Sequence, residues 1–273
     1  SVSKMATIAN NGADIDTDDL KAKNVNVSSL SNSFSATSKV FKDYPTLLYD
    51  GPFADAVLNR KSQLLKNAEH ISRENAREIA ARALGCNISE AIYSGEDAGN
   101  MPCYTFTYSQ KTAGITKSGG YVAYVLYGGK INRSSIDKDN AINLAQSYLK
   151  NIGYKNMANT YYAINNNVCV INFAYKKDDV TYYSDLIKVG VSMDDGKIVS
   201  LDAQGYLTNH IKRKAFNCKL TKEQAQSKLS KNLKVINSKR CVIPKESGNE
   251  VNCYEIRCKS NDTKEEVLIY INA

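Results

Sequence analysis

Three stretches of this chain, Ile71–Ala76 (ISRENA), Ile136–Ala141 (IDKDNA) and Leu220–Ala225 (LTKEQA), share one order of residue types. A hydrophobic residue is followed by Ser, Asp or Thr, then by a base, an acid, an amide and an alanine. That order is a helix start. The oxygen of Ser72, Asp137 or Thr221 can accept from an orphan backbone N–H, and Glu74, Asp139 or Glu223 suits the positive helix end. Thr221 and Gln224 form a capping-box pair, and in each copy the residue before the cap can staple to the alanine. A structural role is enough for these recurrent acids.

The apolar spacing repeats as well. The first stripe is Ala76, Ile79, Ala80, Ala83, Leu84, and the second is Ala141, Leu144, Ala145, Tyr148, Leu149. The third keeps Ala225, Leu229 and Leu233 but sets Lys228 and Asn232 on the same face. Each helix must lay one side on something. Strand patterns follow each of them: ISEAIY, CYTFTY, GYVAYVLY and KINRS after the first, then NTYYAIN, VCVINFAY, YYSDLIKVGVSM and KIVSLDAQGY, then KVINSKRCVI, VNCYEIRC and EVLIYINA. Alternation marks strands, and SGG, YGGK and MDDGK mark tight turns between antiparallel neighbours. The expected fold class is α+β: tandem modules, each a helix packed on a three- or four-stranded antiparallel sheet. Ala76, Ala141 and Ala225 are unevenly spaced, which argues for similar domains in tandem and against a regular solenoid.

The expected domains are a polar, partly helical segment over 1–69, then modules over 70–134, 135–209 and 210–273. The third ends after its third strand, which suggests truncation and an open sheet edge. The first segment holds the connector Tyr44–Val57 (YPTLLYDGPFADAV). Pro45 and Pro52 stiffen it, Asp50-Gly51 reads as a turn, and Leu47, Leu48, Tyr49 and Phe53 are left as docking anchors.

Catalytic constellations are not legible. His70 and His210 are far apart and read as surface or linker residues, and no metalloprotease, nucleophile-elbow or phosphate-loop motif occurs. Asp14, Asp16 and Asp18 have the spacing of a calcium loop, but Asp19 and Val25 stand where the loop needs Gly and Glu. Asp50 has no partner by spacing. The seven cysteines (86, 103, 169, 218, 241, 253, 258) show no paired motif and read as buried small hydrophobes or isolated thiols. No catalytic, cofactor or metal residue is therefore assigned.

The formal charge is +8, with one local cluster at Lys212, Arg213 and Lys214. It reads as solvated surface, weak attraction to anionic membrane or peptidoglycan, or a trypsin-like cleavage site. No zinc-finger or recognition-helix pattern accompanies it, so nucleic acid is not an expected partner. The 18 tyrosines fit half-buried sheet faces. Tyr104–Tyr108 and Thr160–Ile164 are the candidate tyrosine patches for binding. Neither a signal-peptide pattern nor a membrane span is present, and the start SVSKMATIANNG reads as a fragment of something longer.

The run Phe41–Lys61 (FKDYPTLLYDGPFADAVLNRK), followed by the helix-and-sheet repeats, resembles the YpeB family of spore germination proteins, and the repeats look like PepSY modules. The resemblance covers the chain from about residue 34 onward. It implies a non-enzymatic protein of sporulation and germination, carried by an N-terminal membrane anchor absent here. The implied location is the outer face of the inner spore membrane, at the cortex boundary. The implied partner is the cortex-lytic enzyme SleB, which such proteins stabilise and restrain until proteolysis releases it. Two other readings stay open: a peptidoglycan hydrolase in its own right, and a purely structural spore protein.

Overall fold

The computed structural model describes residues 5–7, 61–131, 135–213, 218–244, 249–262 and 264–273. The connector, the Asp14–Asp19 run and Lys214 lie outside the described residues. β1 is Met5–Thr7. Helix α1 (Arg73–Leu84) precedes β2 (Ile92–Asp97), β3 (Cys103–Tyr108), β4 (Lys111–Thr116) and β5 (Val122–Tyr127). Helix α2 (Lys138–Asn151) precedes β6 (Met157–Asn165), β7 (Val168–Lys177), β8 (Val180–Ser192) and β9 (Ile198–Asp202). A short helix α3 (Gln204–Asn209) leads to α4 (Lys222–Gln226), followed by β10 (Leu233–Pro244), β11 (Glu250–Ser260) and β12 (Glu266–Asn272).

All three helix starts form as read. Ser72 accepts from the Asn75 N–H at 3.1 Å, Asp137 from that of Asn140 at 2.8 Å, and Thr221 from that of Gln224 at 3.2 Å. Gln224 completes the third capping box by accepting from the Thr221 N–H at 2.8 Å. Helix α1 stops at Gly85, whose φ of 74° is left-handed backbone that glycine adopts without strain. Helix α4 stops after five residues, before the polar Lys228 can turn onto the buried side. Two segments differ from the strand reading. Ile88–Glu90 is a 3-10 turn, and Gln204–Tyr206 begins α3 where a strand was expected. At the other end of the first unit, Lys130 and Ile131 of KINRS are not in a strand.

The sheets merge. Instead of one sheet per module, the strands among the described residues form a 12-stranded sheet in the order β1-β12-β11-β10-β8-β9-β5-β4-β3-β2, with β7 and then β6 added on the other side of β8. The last strands of the first two units, β5 and β9, pair antiparallel through Tyr124↔Asp202, Val125↔Leu201 and Leu126↔Ser200. Equivalent strands meeting antiparallel give these units a pseudo-twofold relation. One core runs through both, from Ala76, Ala80 and Leu84 on α1 through Phe106, Ile115 and Val125 to Ala145, Leu149, Ile171, Phe173 and Val189. Tyr148 of α2 donates to the Ala83 carbonyl at 2.9 Å, and Tyr154 donates to the Val122 carbonyl at 2.8 Å, so each crosses between the units.

The third unit has separate small cores. One gathers Ala225, Tyr254, Ile256, Cys258 and Ile269, and another Cys241, Ile243, Cys253 and Tyr270. The outer side of β12, expected to be an open edge, pairs parallel with β1 through Met5↔Leu268, Ala6↔Ile269 and Thr7↔Tyr270.

Candidate functional site at the junction of the second and third units

Strand β8 is shared. Its start, Val180–Tyr182, pairs parallel with Arg240–Val242 of β10, and its end pairs antiparallel with β9 from Lys188 to Val191. Between these two partners the ladder to β7 jumps: Tyr175 faces Tyr182, but the next residue back, Ala174, faces Leu186. Tyr183, Ser184 and Asp185 therefore leave the β7 ladder as an extended bulge. Bulges re-aim side chains, and here all three reach toward the linker and the third unit.

Asp185 is fully buried and accepts two hydrogen bonds from the Arg213 guanidinium, both at 2.7 Å. Its Oδ2 also lies 2.7 Å from Nδ1 of His210. Arg213 turns its remaining edge to Glu250, at 2.8 Å from Nε and 2.6 Å from Nη2, and its guanidinium lies 4.8 Å from the Tyr182 ring centroid. Ser184 donates to Glu250 at 2.5 Å. Tyr183 donates to Glu255, which also takes Lys239 at 3.1 Å. Burial by itself would loosen the Arg213 proton, but the hydrogen bonds it donates to Glu250 and Asp185 outweigh this and hold the guanidinium charged. Burial, reinforced by the Glu255 charge, pushes the Tyr183 hydroxyl far above its usual range, so it stays a donor. A bidentate guanidinium–carboxylate pair fixes orientation as well as distance.

Aromatic rings close the other side. His210 stacks on Tyr206 at 4.4 Å between centroids and meets Tyr175 edge-on at 4.7 Å. Tyr206 is edge-on to Tyr154, a member of the shared core. The Asp185–His210 couple has the outline of a base-orienting pair. Its carboxylate, however, is committed to Arg213 and its imidazole is held between rings, so the arrangement acts as a latch. His210 is thus a half-buried fastening and not a loose surface residue. Arg213, read with its basic neighbours as solvated or cleavable, is instead buried between two carboxylates. The latch could not be found by spacing, although Asp185 left a mark: a single acid inside the otherwise apolar and neutral Tyr182–Ile187 run.

The tyrosine patches separate. On β3, Tyr104 and Tyr108 pack partly buried against the shared core. On β6, Tyr161 is 61% exposed and Tyr162 39%. His70 pairs through its backbone with Ser118 at the start of the first unit. Cys103, Cys169, Cys241, Cys253 and Cys258 are buried and Cys86 and Cys218 half-buried, all outside disulfides. Glu74, Asp139 and Glu223 lie in first helical turns. Among the described residues, no group of three or more His, Cys, Asp or Glu could hold a metal ion, and no helix is long and apolar enough to cross a membrane.

Residues 30–216 match the family model described as YpeB sporulation, PepSY1 and PepSY2 domains. A Sporulation protein YpeB of Halalkalibacterium halodurans is 30% identical over 209 residues, covering 74% of this chain and 46% of the relative. Its namesake in Bacillus subtilis is 28% identical over 253 residues, covering 89% of this chain and 56% of that protein. The chain therefore spans about half the length of these curated relatives. The solved Bacillus megaterium YpeB C-terminal domain superposes with a TM-score of 0.66 at 27% identity, covering 75% of this chain and 94% of that one. With the repeated caps, the helix-on-sheet units and a family match through most of its length, this chain belongs to the YpeB family of sporulation proteins.

Proposed function

We propose that this chain is the non-enzymatic, partner-restraining part of a spore germination protein. It binds, stabilises and restrains the cortex-lytic enzyme SleB until proteolysis releases it at germination. The family match through residues 30–216 carries the reading. The architecture supports it. The polar groups with catalytic potential at the junction are taken up in fastening one unit to the next, which makes a broad scaffold of joined sheets. The protein works from the outer face of the inner spore membrane, with a span in another part of the parent chain. Its +8 charge adds weak attraction to anionic lipid or peptidoglycan.

The test is hydrolysis of purified cortex by SleB alone, by this protein alone and by the mixture. The expected result is no release of fragments by this protein, and slowed release in the mixture. Hydrolysis by this protein alone would overturn the non-enzymatic reading. An unchanged SleB rate with no binding would remove SleB as the partner and leave a structural spore protein.

A further inference from the structure

Among the described residues the merged sheet has an unpaired edge at each end of its first two units, and the two edges are built differently. Strand β2 carries Glu96 and Asp97 and is broken by a register shift at Gly95, devices that discourage another strand from pairing. Strand β6, Met157–Asn165, contains no charged residue and no proline. Its register shift lies between Asn159 and Tyr161, and Tyr161–Asn165 then pairs regularly with β7 through Asn172, Ile171, Val170, Cys169 and Val168. Among the described residues β6 pairs only with β7, so its outer backbone groups have no strand partner.

The core also runs out to this edge without an end. Val189, Ile171 and Tyr162 form one cross-strand row, and Val191, Cys169 and Ile164 the next. The first two members of each row are fully buried, whereas Tyr162 is 39% and Ile164 47% exposed. One further strand with apolar residues at alternate positions would continue both rows and cover these side chains. Beside the edge three bases meet two acids: Lys138 lies 5.8 Å from the Tyr162 ring, pairs with Asp139 and feels the charge of the cap Asp137, while Lys150 lies in the last turn of α2 and Lys155 two residues before β6. A second copy of this chain, itself at +8, is disfavoured there.

We infer that β6 is a strand-addition site for an extended segment of another protein, with alternating apolar residues and net negative charge. Main-chain hydrogen bonds would supply affinity, and the Tyr162 and Ile164 rows would set register. The site goes beyond the restraint of SleB and does not depend on it, because the test below contains no SleB.

The probe is a short synthetic peptide alternating valine with glutamate and threonine, followed by backbone amide exchange in this protein. Peptide should slow exchange at the amides of 161–165 that point away from β7. Ile164→Lys should weaken binding about tenfold or more, which corresponds to roughly 1.4 kcal/mol. Ile92→Lys, at a somewhat more exposed position on β2, should leave binding unchanged. Both substitutions fall on exposed side chains, and an unchanged thermal transition would verify that each variant folds. Absence of peptide protection on β6 in the folded wild-type protein would overturn the site. So would protection of β6 caused by self-association, seen by sedimentation without peptide, or equal weakening by both variants.

Discussion

Between the first and second units the seam is apolar and continuous. Val125 and Leu201 pair across it, both fully buried, and the same core fills both sides. Between the second and third units the seam is also three residue pairs long, and beside a small apolar cluster of Val180, Tyr182 and Val242 it is held by polar contacts. Three parallel residue pairs of β8 and β10 are reinforced by Arg213, His210, Lys239 and the carboxylates they meet. Apolar burial is non-directional and tolerates small shifts, whereas a buried ion pair holds only while geometry and partners are intact. The first seam should therefore transmit damage to both units, and the second should let the third unit come away by itself. The buried thiols report each side: Cys103 and Cys169 in the first two units, and Cys241, Cys253 and Cys258 in the third.

The largest expected effect tests the shared core. Phe106 belongs to the first unit and is fully buried. Phe106→Ala should cost about 3–5 kcal/mol. Thiol labelling through a denaturant series should then expose Cys103 and Cys169 together at lower denaturant. If only Cys103 moved, the two units would be separate bodies.

Arg213→Ala comes next. Removing one partner of a buried pair costs roughly 3–5 kcal/mol, and the lower end is expected because His210 still faces Asp185. Cys241, Cys253 and Cys258 should become labelled well before Cys103 and Cys169. A uniform shift of all five would mean that the chain opens as one unit. Pairing Arg213→Met with Asp185→Leu should recover much of the loss, because no charge is then buried alone.

The helix caps give a smaller contrast at about 1 kcal/mol each. Ser72→Ala should lower the midpoint for Cys103 and Cys169 together, whereas Thr221→Ala should act on the third-unit cysteines alone. A wider effect of Thr221→Ala would make α4 a support for the whole sheet. Smallest of all is native thiol reactivity, with no change in stability. Burial pushes the Cys103 thiol up to about 12 and Cys169 up to about 11. Only the thiolate attacks, so near pH 8 these two should label through opening of the fold, while Cys86 and Cys218 react first in the folded protein. Fast labelling of Cys169 without denaturant would sharpen the comparison differently, by placing a weak point inside the shared core.

The helix starts were legible because a cap is local: Ser72, Asp137 and Thr221 each act on an N–H three residues on. Most strands were legible for a similar reason, since alternation such as that of Ile198–Asp202, where Val199 and Leu201 are buried between less buried neighbours, records which side of a sheet is covered. Even the weakness of the third helix was visible at Lys228. The tyrosine patches were half legible. Composition marked Tyr104 and Tyr161 alike, but one lies on an inner strand and the other on an edge, which only strand order decides.

By itself, then, the amino-acid order determined the periodicity, the caps and the α+β repeat, all of which rest on contacts within a few residues. Tertiary structure decided that the sheets merge and that β8 bulges at Tyr183–Asp185. It also turned His210 and Arg213 from linker residues into a latch. Those outcomes join groups tens of residues apart, such as Arg213 with Asp185 and Glu250. No local pattern encodes such a pairing, because the desolvation that gives it strength exists only after the surrounding chain has packed.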